Sequence, residues 1–300
     1  MSVTDLQLHR TTALGRPIDP AYRSNRLAIA GSVLTALTVI VGNAVLPSVL
    51  DVSPIASAVA VFLAWAIGRE LDPDHPASAA IAMTLSFAAI VLIGVPSLLL
   101  GTAVLLGTRL ISGTAGTRLR PLDVVALIAM AAVLGTQSMV LPGAAVLIAG
   151  VLVIEHASPR GILIGLAMGI VSTGVAVASG TDAVWAMPNG IEWLGAVVIG
   201  AATVAVIPAT RPDSMTDAGD QRLSRGRVTA ARIAGGLTVL AGFIVAGGLG
   251  ITAAAATVGA ALVGIAATSV RTTARERNAA DRGIRHSPKG PRTEQKPQVS

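Results

Sequence analysis

The chain has 300 residues, 53% of them hydrophobic and only 13% charged, with a mean hydropathy of +0.73. An average soluble domain is about 25% charged, so an ordinary water-facing surface is excluded and a bilayer is the fitting solvent. The absence of cysteine excludes disulfides, thiolate catalysis and cysteine metal sites, and 2% aromatics leave no stacking platform for bases or sugars.

Residues 1–26 are polar and basic, too long for the first part of a signal peptide. The apolar run behind them is also longer than a signal core, so this segment reads as a retained cytoplasmic tail before a first span. Runs able to span then follow at 27–46, 52–68, 77–94, 95–111, 122–140, 143–157, 161–179, 191–209, 233–250 and 251–270. Two pairs of runs touch end to end. One helix over residues 77–111 would be roughly 52 Å long, against a hydrocarbon core of about 30 Å. Breaks are therefore placed at Gly94-Val95-Pro96 and at Gly247-Gly248-Leu249-Gly250. The expected fold is all-α: ten transmembrane helices over 27–270 with short loops. Residues 271–300 form a basic tail, read as disordered and cytoplasmic, where anionic lipid headgroups are the expected contact.

Charge orders the spans. With the N-terminal tail inside and ten crossings, all 22 Lys and Arg fall on one side. The other side carries only Asp51, Asp182 and Glu192. Merging either touching pair moves basic segments outward, against the positive-inside rule. Both termini are accordingly expected in the cytoplasm, with the chain in the plasma membrane. The net charge of +6 is explained by orientation, and nucleic acid is not an expected partner. Ten spans also divide into five plus five, the count of an inverted repeat, but no motif recurs between the halves.

Candidate chemistry sits mainly on two segments of the basic side. The first is Arg69-Glu70-Leu71-Asp72-Pro73-Asp74-His75-Pro76. Prolines favour extended backbone before them, so Glu70, Asp72 and Asp74 alternate and would share a face. Three such carboxylates and His75 could hold a divalent cation, and Mg²⁺ a diphosphate. The competing reading is a helix start, with Asp74 or His75 capping and Pro76 in the first turn. The second segment runs from Gly107 to Arg120, repeats Gly-Thr and carries Arg109, Arg118 and Arg120, residue types that suit phosphate or an orientation signal. It matches no nucleotide-binding fingerprint.

Inside the spans no acid or base lies near a midplane, which removes the default markers of proton relays and ion pathways. Asn43 and Gln137 are the intramembrane amides and the candidate substrate-binding residues; the alternative is hydrogen bonding to a neighbouring helix. Glu155 and His156 are expected to reach water at the end of span six. Gly161, Gly165 and Gly169 recur every four residues, a face for close helix approach within the chain or in a homo-oligomer. Ala256, Ala260 and Gly264 make a similar face. Trp185 and Trp193, near Asp182 and Glu192, read as interface anchors or as a cation-greeting cluster.

No cofactor is implied. Three functions fit these features: a secondary transporter or permease of a small molecule, an embedded enzyme acting on a lipid phosphate at the cytoplasmic face, and a non-catalytic scaffold. Convergence of the 69–76 and 107–120 loops beside a cavity would favour the enzyme. A central cavity at Asn43 and Gln137 would favour transport.

Overall fold

The computed structural model describes residues 12, 14, 18–45, 52–114, 118–137, 140–181, 185–207, 212–214 and 222–270. The tail at 271–300, most of the tail at 1–26, and Asp51, Ser138 and Asp182 lie outside the described residues.

The described residues are all-helical, without a strand. They form ten helices: α1 (Arg23–Val45), α2 (Pro54–Leu71), α3 (Pro76–Ile93), α4 (Leu98–Ser112), α5 (Pro121–Leu134), α6 (Val140–Ile154), α7 (Pro159–Ser179), α8 (Gly190–Val206), α9 (Arg225–Ala246) and α10 (Gly248–Val270). Six of them, α1, α2, α3, α7, α9 and α10, are long and apolar enough to cross a membrane. The other four have 10–17 residues; even 17 residues reach only about 26 Å at 1.5 Å per residue, short of a core of about 30 Å.

Local chemistry sets the helix ends. Proline occupies the first turn of α2, α3, α5 and α7, where its missing N–H costs nothing. Ser53, Ser97, Ser158 and Asn189 accept a backbone N–H in the first turn of the helix that follows. Gly94 (φ 96°) and Gly247 (φ 60°) stop α3 and α9 in backbone that only glycine adopts freely.

Two helix ends differ from the sequence reading by more than four residues. α5 stops at Leu134 rather than 140, because Gly135, Thr136 and Gln137 turn out of the helix on short bonds to the carbonyls of Ala132, Val133 and Leu134. α9 starts two turns before residue 233, and so takes in Arg225, Arg227 and Arg232.

α10 is the centre of the bundle. Within its most apolar 18-residue stretch 78% is buried, against 17% for α1 at the periphery. It contacts α2, α3, α4, α8 and α9, and it is interrupted by a π turn at Ala255–Gly259. Ala256, Ala260 and Gly264 are buried; a Cβ on Gly264 would stand 2.6 Å from the Ser78 carbonyl oxygen of α3. The tightest approach between α4 and α6 is at Gly107 and Gly150, where a Cβ on Gly150 would meet the Gly107 oxygen at 2.9 Å. Outside this core, Leu34, Ile170, Val177, Val204 and Ile244 are exposed. A girdle of that kind is what lipid covers.

Candidate functional site

The described residues of the segments 69–76, 109–120, 155–160 and 207–224 meet at one end of the bundle, called here the charged end. Two arginines of α9 organise it. Helix C-termini leave carbonyls without intrahelical donors and carry partial negative charge. Arg227 donates to the carbonyls of Leu110 (2.8 Å) and Ile111 (2.9 Å) at the end of α4. Arg232 donates to Leu71 (2.8 Å) at the end of α2 and to Val206 (3.1 Å) at the end of α8. One helix thus caps three others.

Arg232 also donates to Asp72 Oδ1 at 3.3 Å, and His75 Nδ1 sits 3.0 Å from the same oxygen. Beside this group, Thr114 donates its hydroxyl to Glu70, and Arg109 Nε lies 3.9 Å from Glu70 Oε1. Glu70, Asp72, Arg109 and Arg232 are only 4–7% exposed. The two loops singled out in the sequence therefore do converge, at Glu70, Arg109 and Thr114. Glu70, Asp72 and Arg109 are turned into the protein, Glu70 against Arg109 and Asp72 against Arg232, forming a buried layer that ties α2, α4 and α9 together.

Asp74 is not part of that layer. It reaches across to the loop before α9, where it accepts from the amides of Asp213 and Ser214, both at 3.0 Å, and from the Ser214 hydroxyl. Burial pushes its carboxyl up, but the Ser214 hydroxyl, the two amides and the neighbouring His75 together hold it below the ordinary carboxylate range. His75 occupies the N-cap of α3 without a side-chain bond to that helix; Asp74 clamps distant backbone rather than capping α3, and Glu70 and Asp72 pair with side chains. Among the described residues, no three His, Asp or Glu converge as metal ligands do.

A second cluster lies at α5. Glu155 is buried rather than reaching water: it accepts from the Leu119 amide at 3.1 Å. Arg160 donates to the Leu119 carbonyl at 2.9 Å. Arg118 is exposed and Arg120 half-buried. Buried Asp123 accepts from the Arg120 amide, the Leu14 amide and the Thr12 hydroxyl, which seats this part of the N-terminal segment on α5.

The opposite end of the bundle holds a hollow of about 410 Å³, lined by Pro96, Ser97, Gln137, Leu249, Thr252 and Ala253 among others. Here the Ser97 amide donates to the Ala253 carbonyl at 3.1 Å, just ahead of the π turn of α10. The Thr252 hydroxyl donates to Glu192, which also accepts from the Asn189 amide. The segment carrying Trp185 crosses the α9–α10 joint, with Ala186 bonded to Ala246 and Gly248. Asn43 is elsewhere: its Nδ2 donates to Val52 at 2.9 Å, tying α1 to the start of α2. The structure does not bring Asn43 and Gln137 to a common site.

Gly165 and Gly169 also have a different setting from the close approach anticipated for them. A Cβ on either would meet α6 only at Ile148, 3.3 and 3.8 Å away, while one on Gly161 would stand 2.7 Å from the Glu155 Cβ. Gly165 and Gly169 line an apolar groove between α6 and α7.

Comparison with protein-family models, with curated proteins and with solved structures returns no match for this chain.

Proposed function

We propose that the chain is a secondary transporter or permease for a small molecule, crossing the plasma membrane ten times with both termini in the cytoplasm. On this reading the charged end faces the cytoplasm. The observation that carries it is the contrast between the two ends. One end opens into a hollow with polar groups at Gln137, Ser97 and Thr252, above an interrupted central helix. The other is closed by a buried ion-pair layer across three helices. A π turn inside a helix frequently marks a functional site, and alternating access requires one closed side. The lipid-phosphate enzyme is less well supported, since Glu70, Asp72 and Arg109 are buried in ion pairs, Asp74 is held by the amides of Asp213 and Ser214, and Arg118 and Arg120 belong to the separate cluster at α5.

The cysteine-free sequence makes the test clean. Ala253→Cys is expected to react with an impermeant maleimide added outside intact cells. Ser112→Cys, behind the ion-pair layer, is expected to react from the cytoplasmic side only when Glu70→Gln is also present. A deletion strain should lose uptake or export of a defined small solute, restored by the wild type and not by Gln137→Leu with Thr252→Val. If metabolite flux is unchanged by deletion and the double variant is indistinguishable from wild type, the scaffold function replaces this one.

A further inference from the structure

Two observations that play no part in the transport reading converge on α7. The first is the groove between α6 and α7, of about 690 Å³, running from Ile162 to Gly174 with Ile148 and Leu152 on its other wall. Gly165 and Gly169 face it with only Ile148 close by, and a Cβ on Gly174 would meet nothing within 4 Å. No backbone approach demands these glycines; their effect is to keep the channel open. The groove is about 18 Å long at 1.5 Å per residue, close to one leaflet of a core of about 30 Å. An apolar groove of this length suits extended hydrocarbon chains of one leaflet.

The second observation is the charge at the mouth of the groove. The turn before α7 and the adjoining 118–120 segment expose His156, Arg118 and Arg160, the last with its side chain 50% accessible. The acids beside them, Glu155 and Asp123, are buried and bonded to backbone amides. Among the described residues every exposed ionisable group at this mouth is therefore a base, Arg160 lying also 3.9 Å from buried Glu155, at a level where a headgroup would lie.

We propose that the α6–α7 groove is a binding site for an anionic phospholipid of the cytoplasmic leaflet. Its acyl chains lie along Gly165, Gly169 and Gly174, and its phosphate lies against Arg160 and Arg118. Only the assignment of the leaflet rests on the orientation proposed above; the preference for anionic lipid does not.

The test is native mass spectrometry of the full chain purified from nanodiscs containing equal phosphatidylglycerol and phosphatidylcholine. The wild type is expected to retain one phosphatidylglycerol, with at least a tenfold preference over phosphatidylcholine. Gly169→Leu fills the groove and is expected to lose the retained lipid. Gly174→Leu, where nothing is near, gives the same reading should Gly169→Leu fail to fold. Arg160→Gln with Arg118→Gln is expected to retain a lipid but lose the preference. Val197→Leu, on the exposed face of α8, serves as control and should behave as wild type. Equal retention of both lipids by the wild type overturns the proposal, as does unchanged retention after the groove is filled. Loss of a dimer instead of a lipid on filling assigns the groove to a second copy of the chain and overturns it too.

Discussion

Arg232→Met keeps most of the side chain's length and apolar stem while removing its charge and all of its donors. Three acceptors then lose a partner: the Leu71 carbonyl, the Val206 carbonyl and the Asp72 carboxylate. Asp72 retains His75 at 3.0 Å, but it stays 5% exposed. Breaking a buried ion pair by removing one partner typically costs about 3–5 kcal/mol. Each helix-end carbonyl left dry adds up to about 1–3 kcal/mol, less whatever the surrounding chain recovers by shifting. We expect Arg232→Met to destabilise the protein by about 4 kcal/mol, near the middle of the range for a broken buried pair. Adding Asp72→Asn removes the stranded charge and should restore about 1–3 kcal/mol, a coupling of the size seen between residues in contact. Reversible unfolding in mixed micelles by SDS titration, followed by circular dichroism, measures both. A loss below about 1 kcal/mol, or a double variant no more stable than the single one, would refute the ion pair as a structural tie.

Gly150→Ala places a methyl 2.9 Å from the Gly107 carbonyl oxygen, and backbone cannot yield there, so a loss of about 1–3 kcal/mol is expected in the same titration. Gly174→Ala should be neutral, or stabilising by up to about 1 kcal/mol from helix propensity; equal losses for the two would contradict the packing described. Reporter fusions are expected to place residues 50, 95, 142, 185 and 249 outside and residue 115 and the C-terminal tail inside, and an external tail would reverse the orientation. The carboxyl of Asp74 is held below its ordinary range, so its clamp on residues 213–214 contributes fully above the unfolded pKa of about 3.9 and is lost as pH falls through the lower folded value. Hydrogen exchange at the Asp213 and Ser214 amides should therefore stay slow at pH 5 and quicken only well below pH 4. Quickening already at pH 5 would remove Asp74 as the anchor.

The helices were largely legible because their signals are local. Apolar runs, serines and prolines at their starts, and the glycine breaks at Gly94 and Gly247 all act within a few residues. The charged end was much less legible. Arg232 stands one residue before the apolar run assigned to span nine and reads as an orientation charge, yet α9 starts earlier and carries it inward. Asp74 finds its partner at Ser214, 140 residues away, and no periodicity records a pairing of that kind. Gln137 read as a span residue because the polar turn from Gly135 onward is short enough to be averaged into the apolar window. The glycines of α7 were visible as a stripe, but a stripe looks the same whether a helix packs on it or a groove is left open.

The burial of α10 bears on how the protein is made. Synthesis proceeds from the N-terminus, so the helix that fills the middle is the last of the ten described to leave the ribosome. Until it arrives, the faces of α2, α3, α4 and α8 that will surround it have only lipid or one another to meet. The joint to α9 is a single residue, Gly247, so α10 has almost no tether with which to search and must swing in against Gly242 as soon as it emerges. A chain arrested before residue 248 would present an unfilled cleft to the quality-control machinery, while later arrest would leave the cleft only partly plugged. Nascent chains of increasing length should therefore remain protease-sensitive almost to the end, and then become resistant in one step.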